Sequence, residues 1–305
     1  MGHFILRNDD TMIEGITGER AMEIIRIPRI MLDIARTHKM HNKTIGFVPT
    51  MGALHEGHLS LVRMAKAENK ITVVSIYVNP KQFGPTEDLS HYPRDIEGDA
   101  EKLTREGIDI LFIPVDSLVY PEGFSTRVEV EGLSRKLCGA YRPGHFSGVA
   151  TVVTKLSNLV LPTRAYFGQK DFQQTVIIKR IVKDLDMGID IIVCPTVREE
   201  DGLAMSSRNL YLTREQRDSA AIIYKCLTEA SEAIKSGIIK VTELKKLMGK
   251  RLVSEPLVSE IQYCSAYDPV TLDELEQIGN EALLAIALRF GETRLIDNIL
   301  VAAGQ

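Results

Sequence analysis

The sequence predicts an α/β protein in which a doubly wound parallel sheet is followed by a smaller α+β domain. Three observations lead there. Between Thr44 and Pro195 short apolar runs alternate with longer amphipathic ones, as in βαβ units. The short runs are rich in β-branched residues, which suits buried parallel strands. After Pro195 the texture changes to a polar loop, two helical stretches and three further strand-like runs.

Taken in order, the apolar residues Met22, Ile24, Ile25, Ile27 and Ile30 lead into a helix expected to end near His38. Strands are expected over Thr44 to Val48, Ile71 to Val78, Ile108 to Ile113, Ala165 to Phe167 and Asp190 to Cys194. Helices between them are expected at Leu59 to Ala67, Asp95 to Glu106, Val149 to Val160 and Gln173 to Leu185. Beyond the polar loop Arg198 to Asn209, helical patterns cover Arg214 to Lys235 and Thr242 to Val253. Strand-like runs follow at Glu260 to Tyr267, Ala282 to Arg289 and Thr293 to Val301. Tyr267-Asp268-Pro269 reads as a turn and Phe290-Gly291-Glu292 as a hairpin connection. A boundary near Thr196 is expected to separate a domain over 22–196 from a lid-like one over 197–305, with residues 1–21 as a leading extension that precedes the first element and is dispensable.

Composition narrows the class of function. The chain has 305 residues, 44% of them apolar and 26% charged, which excludes disorder, collagen and a membrane span. Lys plus Arg number 37 against 41 Asp plus Glu, so no basic excess exists to neutralise a duplex, and no nucleic-acid partner is expected. Cys138, Cys194, Cys226 and Cys264 lie far apart without a C-x-x-C pair, against structural zinc or a redox dithiol. They read as small buried apolar residues in a reducing compartment. Residues 1–20 mix acids with bases and contain no unbroken apolar h-region, so export is not expected.

Three segments carry chemistry. Gly46-Phe47-Val48-Pro49-Thr50 runs off the first strand into Met51-Gly52-Ala53-Leu54-His55-Glu56-Gly57-His58, where a helix opens. Ligands of open α/β sheets bind at that end of the strands. Two His three residues apart at a helix start share a face, and their ring N–H groups can join the free backbone amides as phosphate donors. Gly57 lets the backbone approach a nucleotide closely. The pair could instead ligate a metal or be plain helix-start polarity, although a zincin would want a spacing of four. Gly168-Gln169-Lys170-Asp171 also follows a strand and precedes a helix, and Lys170 is a point charge suited to phosphate oxygens, or else a solvated turn residue.

The third segment, Asp201-Gly202-Leu203-Ala204-Met205-Ser206-Ser207-Arg208-Asn209, places two hydroxyls and a guanidinium in a Gly-containing loop able to close over a polyphosphate. Alone it would read as a surface linker. Uncharged amides complete the set: Asn79 and Gln82 in Val78-Asn79-Pro80-Lys81-Gln82-Phe83, and Gln173-Gln174 beside Lys170. Amides donate and accept at once, which suits a substrate with hydroxyls and a carboxylate.

With these blocks on the page, the chain resembles the nucleotidylyltransferase superfamily, with its H-x-G-H signature and a second loop akin to the K-M-S-K-S loop of class I aminoacyl-tRNA synthetases. Within it, the sequence from about Met22 onward looks like the pantoate-β-alanine ligase (pantothenate synthetase) family. The resemblance rests on P-T-M-G-A-L-H-E-G-H at 49–58, V-N-P-K-Q-F at 78–83, Y-R-P-G-H-F-S-G-V at 141–149, Y-F-G-Q-K-D-F-Q-Q at 166–174 and R-E-E-D-G-L-A-M-S-S-R-N at 198–209. It implies a Rossmann-like fold and the ATP-dependent joining of pantoate to β-alanine through pantoyl adenylate, with AMP and pyrophosphate released.

By resemblance His58, His55 and Lys170 are catalytic, His58 as proton donor. The ATP site would comprise Met51, Gly52, Ala53, Leu54, His55, Glu56, Gly57, His58, Gly168, Gln169, Lys170, Asp171, Val197, Met205, Ser206, Ser207 and Arg208. Gln82, Gln174 and Asn79 would bind substrate. Mg²⁺ is expected mainly on the ATP phosphates, with the acidic run Asp95, Glu97 and Asp99 as a further candidate. A cytoplasmic homodimer with no membrane partner is implied. Another H-x-G-H cytidylyl- or adenylyltransferase is the nearest alternative, disfavoured by the V-N-P-K-Q-F and F-Q-Q blocks. A silent ATP-binding regulatory protein is disfavoured by the intact His and Ser-Ser-Arg sets.

Overall fold

The computed structural model describes residues 5–6, 22–85 and 87–302. The leading extension 1–21 therefore lies outside the described residues except at Ile5–Leu6. Two compact units emerge. The first runs up to Val130 and adds Gly144–Gly168 and Ile177–Cys194, while the second comprises Glu131–Pro143, Gln169–Val176 and Pro195–Gln305.

The first unit is built on a parallel sheet of β1 (Ile5–Leu6), β2 (Glu23–Ile25), β3 (Ile45–Thr50), β4 (Ile71–Ile76), β5 (Ile110–Phe112), β6 (Arg164–Gly168) and β7 (Asp190–Cys194). Its strand order is β1-β2-β5-β4-β3-β6-β7. The chain winds outward from β3 through β4 and β5, then returns to lay β6 on the other side of β3, so β3 and β6 meet at the switch point. Helices α1 (Pro28–Met40), α2 (Glu56–Glu68), α3 (Ile96–Glu106), the short α4 (Asp116–Val119), α5 (Cys138–Tyr141), α6 (His145–Val160) and α7 (Phe172–Asp184) fall between the strands or beside them in sequence, α5 and the first turn of α7 being counted with the second unit.

Alternation along each strand feeds two apolar cores. Phe47, Val73, Ile110, Phe112, Ala165 and Phe167 face one cluster with Met31 and Ala35 of α1 and Val152, Leu156 and Val160 of α6. Their neighbours Val48, Val74, Leu111 and Tyr166 face the other, with Leu61, Val62 and Ala65 of α2 and Ala100 and Leu103 of α3. Successive side chains of a strand point to opposite faces, so a continuous apolar run is what a sheet covered on both sides requires.

In the second unit α8 (Arg214–Ala220), α9 (Ile222–Lys235) and α10 (Val241–Val253) precede β8 (Glu260–Tyr267), β9 (Glu281–Phe290) and β10 (Thr293–Ala302), an antiparallel sheet of order β10-β9-β8. Ile223, Cys226, Leu227 and Ala230 of α9 and Leu244, Met248 and Leu252 of α10 pack with Leu284, Ile286 and Leu288 of the central strand. β9 and β10 pair Phe290 with Thr293 across the Gly291-Glu292 turn, where Gly291 takes φ +57°.

The sequence reading is corrected at three places. Residues 23–25 form a strand rather than leading into the helix, which begins at Pro28. Three residues are too few for a period to show, and Pro28 at the helix start marks the break. β1 falls within the leading segment expected to precede the first element, since a two-residue pairing leaves no pattern. The stretch 214–235 is two helices, α8 and α9, joined at Ala221.

Candidate active site

The turn after β3 is held from beneath. Gly52 and Ala53 both adopt left-handed backbone, φ +83° and +51°, a conformation that costs a residue with a Cβ roughly 1–2 kcal/mol. A buried carboxylate maintains it: Asp99 of α3, 1% exposed, accepts the Leu54 backbone N–H at 2.8 Å. Lys102, one turn on, donates to the Leu54 carbonyl at 2.8 Å and reaches Asp99 at 3.4 Å. A Cβ on Gly52 would lie 3.1 Å from Asp99 Oδ2, a tight approach that adds to the preference for glycine set by φ.

From this clamp the chain enters α2 with His55 at the N-cap. His58 Nδ1 accepts the His55 backbone N–H at 3.3 Å, which assigns the ring proton to Nε2 and makes Nε2 a donor. The two rings touch at a tilt of 42°, with 4.1 Å between centroids. Glu56 is exposed and paired with Arg63, which also binds Glu106. Met51, Gly57 and both histidines are half-buried, whereas Leu54 is buried.

Asn79 and Gln82 join the same unit's site through the turn after β4. Gly148 of α6 permits this, because a Cβ there would lie 2.2 Å from the Lys81 carbonyl oxygen. His145 Nδ1 meets the Gln82 carbonyl at 2.8 Å, and the Gly148 carbonyl accepts from Asn79 Nδ2 at 3.1 Å. The Y-R-P-G-H-F-S-G-V block thus seats the amide turn on α6. Gln82 Nε2 lies 2.9 Å from Met51 Sδ, bringing the amide turn to the loop after β3.

In the second unit, the other sequence-predicted residues sit on loops tied to β10. Asn298, 4% exposed, donates to the carbonyls of Gln169 and Lys170 at 3.1 and 2.9 Å. Its neighbour Asp297, 2% exposed, receives two bonds from Arg198, at 2.5 and 3.1 Å. Burial pushes the Asp297 carboxyl up, against the pull of Arg198. Arg198 stacks on Tyr224 at 3.8 Å and bridges to Ala204, and Met205 N–H bonds the Val197 carbonyl at 3.0 Å. This hairpin delivers Ser206, whose hydroxyl accepts the Arg208 N–H at 3.3 Å, and Ser207, which is buried. Lys170 is half-buried, 3.9 Å from Asp171, and Gly168, the last residue of β6, precedes the turn.

Gln173 and Gln174 separate in role. Gln173 is buried, and its amide binds the carbonyls of Leu133 and Lys136 and the Cys138 N–H, so it holds that loop. Gln174 is half-buried. The acidic run divides too: Asp95 caps α3 through the Gly98 N–H at 2.9 Å, and Asp99 is taken up by the turn. Among the described residues no three His, Cys, Asp or Glu side chains gather as a metal site. Cys138, Cys194 and Cys226 are buried free thiols and Cys264 is half-buried.

Sequence reasoning missed Lys102, Asp297 and Asn298, and misplaced Asp99. An Asp-Asn pair interrupting the apolar T-R-L-I-D-N-I-L-V strand was the available signal, since adjacent polar residues in a core strand need buried partners.

Fold and site together define a doubly wound α/β protein with an H-x-G-H turn at the switch-point edge of its sheet. Within that class, the chain belongs to the pantoate-beta-alanine ligase family, whose model matches residues 23–300. It is 59% identical over 280 residues to the pantothenate synthetase of Thermodesulfovibrio yellowstonii, covering 92% of this chain and 100% of that one. Among solved structures it is similar to pantothenate synthetase from Thermus thermophilus, with TM-score 0.86, 44% identity and coverage of 91% and 99%. The pantoate-beta-alanine ligase of Francisella tularensis, complexed with beta-gamma ATP and beta-alanine, aligns with TM-score 0.76 and 37% identity over 92% and 98% of the chains. Among the described residues no helix is long and apolar enough to cross a membrane.

Proposed function

We propose that this chain joins pantoate to β-alanine at the expense of ATP, releasing AMP and pyrophosphate. The observation that carries the reading is the clamped Met51–His58 turn at the end of β3, in a chain that matches the ligase family over nearly its whole length. The pantoate carboxylate attacks the α-phosphorus of ATP, expelling pyrophosphate and leaving pantoyl adenylate. The β-alanine amine then attacks the acyl carbon, and AMP departs.

His58 donates through Nε2–H to the phosphate oxygens as charge develops, with His55 beside it. Lys170, Ser206, Ser207 and Arg208 hold the polyphosphate, and Mg²⁺ enters as the ATP complex. Stabilising charge on already positioned phosphates is the main requirement of such transfers. Backbone and side chains of 51–58, 168–171, Val197 and Met205 line the nucleotide, while Gln82, Gln174 and Asn79 take pantoate, Gln82 also meeting β-alanine. Residues 22–196 form the nucleotide-binding domain and 197–305 the lid-like one, in a cytoplasmic homodimer.

AMP and pyrophosphate should accumulate only when ATP, Mg²⁺, pantoate and β-alanine are all present, apart from slow adenylate leakage. Formation of ADP would overturn the mechanism.

A further inference from the structure

We propose that Tyr120 is a positioning residue for the acid substrate, acting through Asn79 to fix which end of the Gln82 amide meets the ligand. The inference rests on the reading of Gln82 as a pantoate-binding residue.

Asn79 is 1% exposed, and its amide orientation is determined from two sides. The Gly148 carbonyl, 3.1 Å away, can only accept, so Nδ2 faces it. Tyr120 lies on the other side with its hydroxyl 2.9 Å from Asn79 Oδ1, which also accepts the Lys81 N–H at 3.3 Å. Burial, then the Asp116 carboxylate, pushes the Tyr120 phenol up to about 12, so the hydroxyl keeps its proton and donates.

Asn79 Nδ2 then gives its second proton to Gln82 Oε1 at 3.1 Å. That bond turns the Gln82 amide so that Nε2 is directed to the Met51 side of the turn, at 2.9 Å from a thioether sulfur. Sulfur is a weak acceptor, which a carboxylate or hydroxyl oxygen would replace with gain. Gln82 therefore recognises an acceptor group, and Tyr120, which sits against Phe124 and under the Lys81 ammonium, reinforces from outside the binding site the polarity that the Gly148 carbonyl and the Lys81 N–H also impose on Asn79.

Tyr120→Phe removes one hydroxyl and keeps the ring packing. In steady-state AMP formation the KM for pantoate should rise about 5- to 10-fold, as the loss of one buried hydrogen bond implies, with the KM for ATP and kcat held within about twofold. In a Gln82→Ala background the same substitution should add nothing. In the ligand-free protein, the side-chain amide NMR signals of Asn79 and Gln82, identified by their loss in Asn79→Asp and Gln82→Glu, should both move in Tyr120→Phe. Unmoved signals, a rise shared equally by ATP, or additivity with Gln82→Ala would overturn the relay. A wild-type protein forming no AMP from pantoate would instead overturn the reading of the reaction, and the amide signals would still decide the relay.

Discussion

Removing the carboxylate of Asp99 tests whether the turn after β3 is held by the protein or only by its ligand. Asp99→Ala strands the Leu54 N–H, now bonded at 2.8 Å beneath a side chain that is 3% exposed. An unsatisfied buried donor costs about 1–3 kcal/mol, and Lys102 loses the carboxylate it faces at 3.4 Å. The left-handed pair Gly52 and Ala53 then has no clamp and relaxes, which recovers about 1–2 kcal/mol of strain. The net loss should be about 1 kcal/mol by urea unfolding. Activity should suffer more, because displacing reacting groups by about 1 Å costs on the order of 100-fold. Asp99→Asn separates charge from geometry: its Oδ1 still accepts from Leu54, so most of the turn and most of the rate should survive. If Asn proves as damaging as Ala, or if Ala changes neither the unfolding midpoint nor AMP formation, the clamp argument fails.

His58→Ala should lower AMP formation by about 100-fold or more, the range of a lost proton donor, while the thermal midpoint stays near that of the wild type; a large loss of stability with little loss of rate would mark a purely structural residue. Asn298→Ala breaks two bonds to the carbonyls of Gln169 and Lys170. At about 1 kcal/mol each, it should cost about 2 kcal/mol and raise the KM for ATP, and unchanged ATP kinetics would detach β10 from the nucleotide loops. The Arg217 hydrogen bond, with the Leu203 N–H, lowers the Asp201 carboxyl below its ordinary value. A depressed carboxyl stabilises the fold above its unfolded pKa of about 4 and loses that contribution as pH falls through the folded value. Stability should therefore decline with acid below about pH 4, and Arg217→Met should flatten the decline; an unaltered pH profile in the variant would contradict the pairing.

Much of the architecture was legible because each strand and helix carries its own period. β7 and β8 fall where their apolar runs predict, β9 extends its run by a residue at each end, and β10 extends its by one at the C-terminal end. The blocks at 49–58 and 78–83 stood out through residue type and position after a strand. The three-residue β2 was hidden because its pairing with β5 is a long-range fact with no local period. Gln173 and Gln174 are identical as letters, and only packing against the 133–138 loop commits the first of them to structure.

By itself, then, the sequence determined the α/β class, most of the longer elements and the family, since these depend on local pattern and residue type. The tertiary structure alone decided what holds those side chains. Asp99 grips a turn 45 residues away, Tyr120 reaches Asn79 across 41, and Asn298 binds loop carbonyls across 128 and 129. A buried polar group must find a partner wherever the fold brings one, and that partner's place in the chain leaves no mark on its neighbours in sequence.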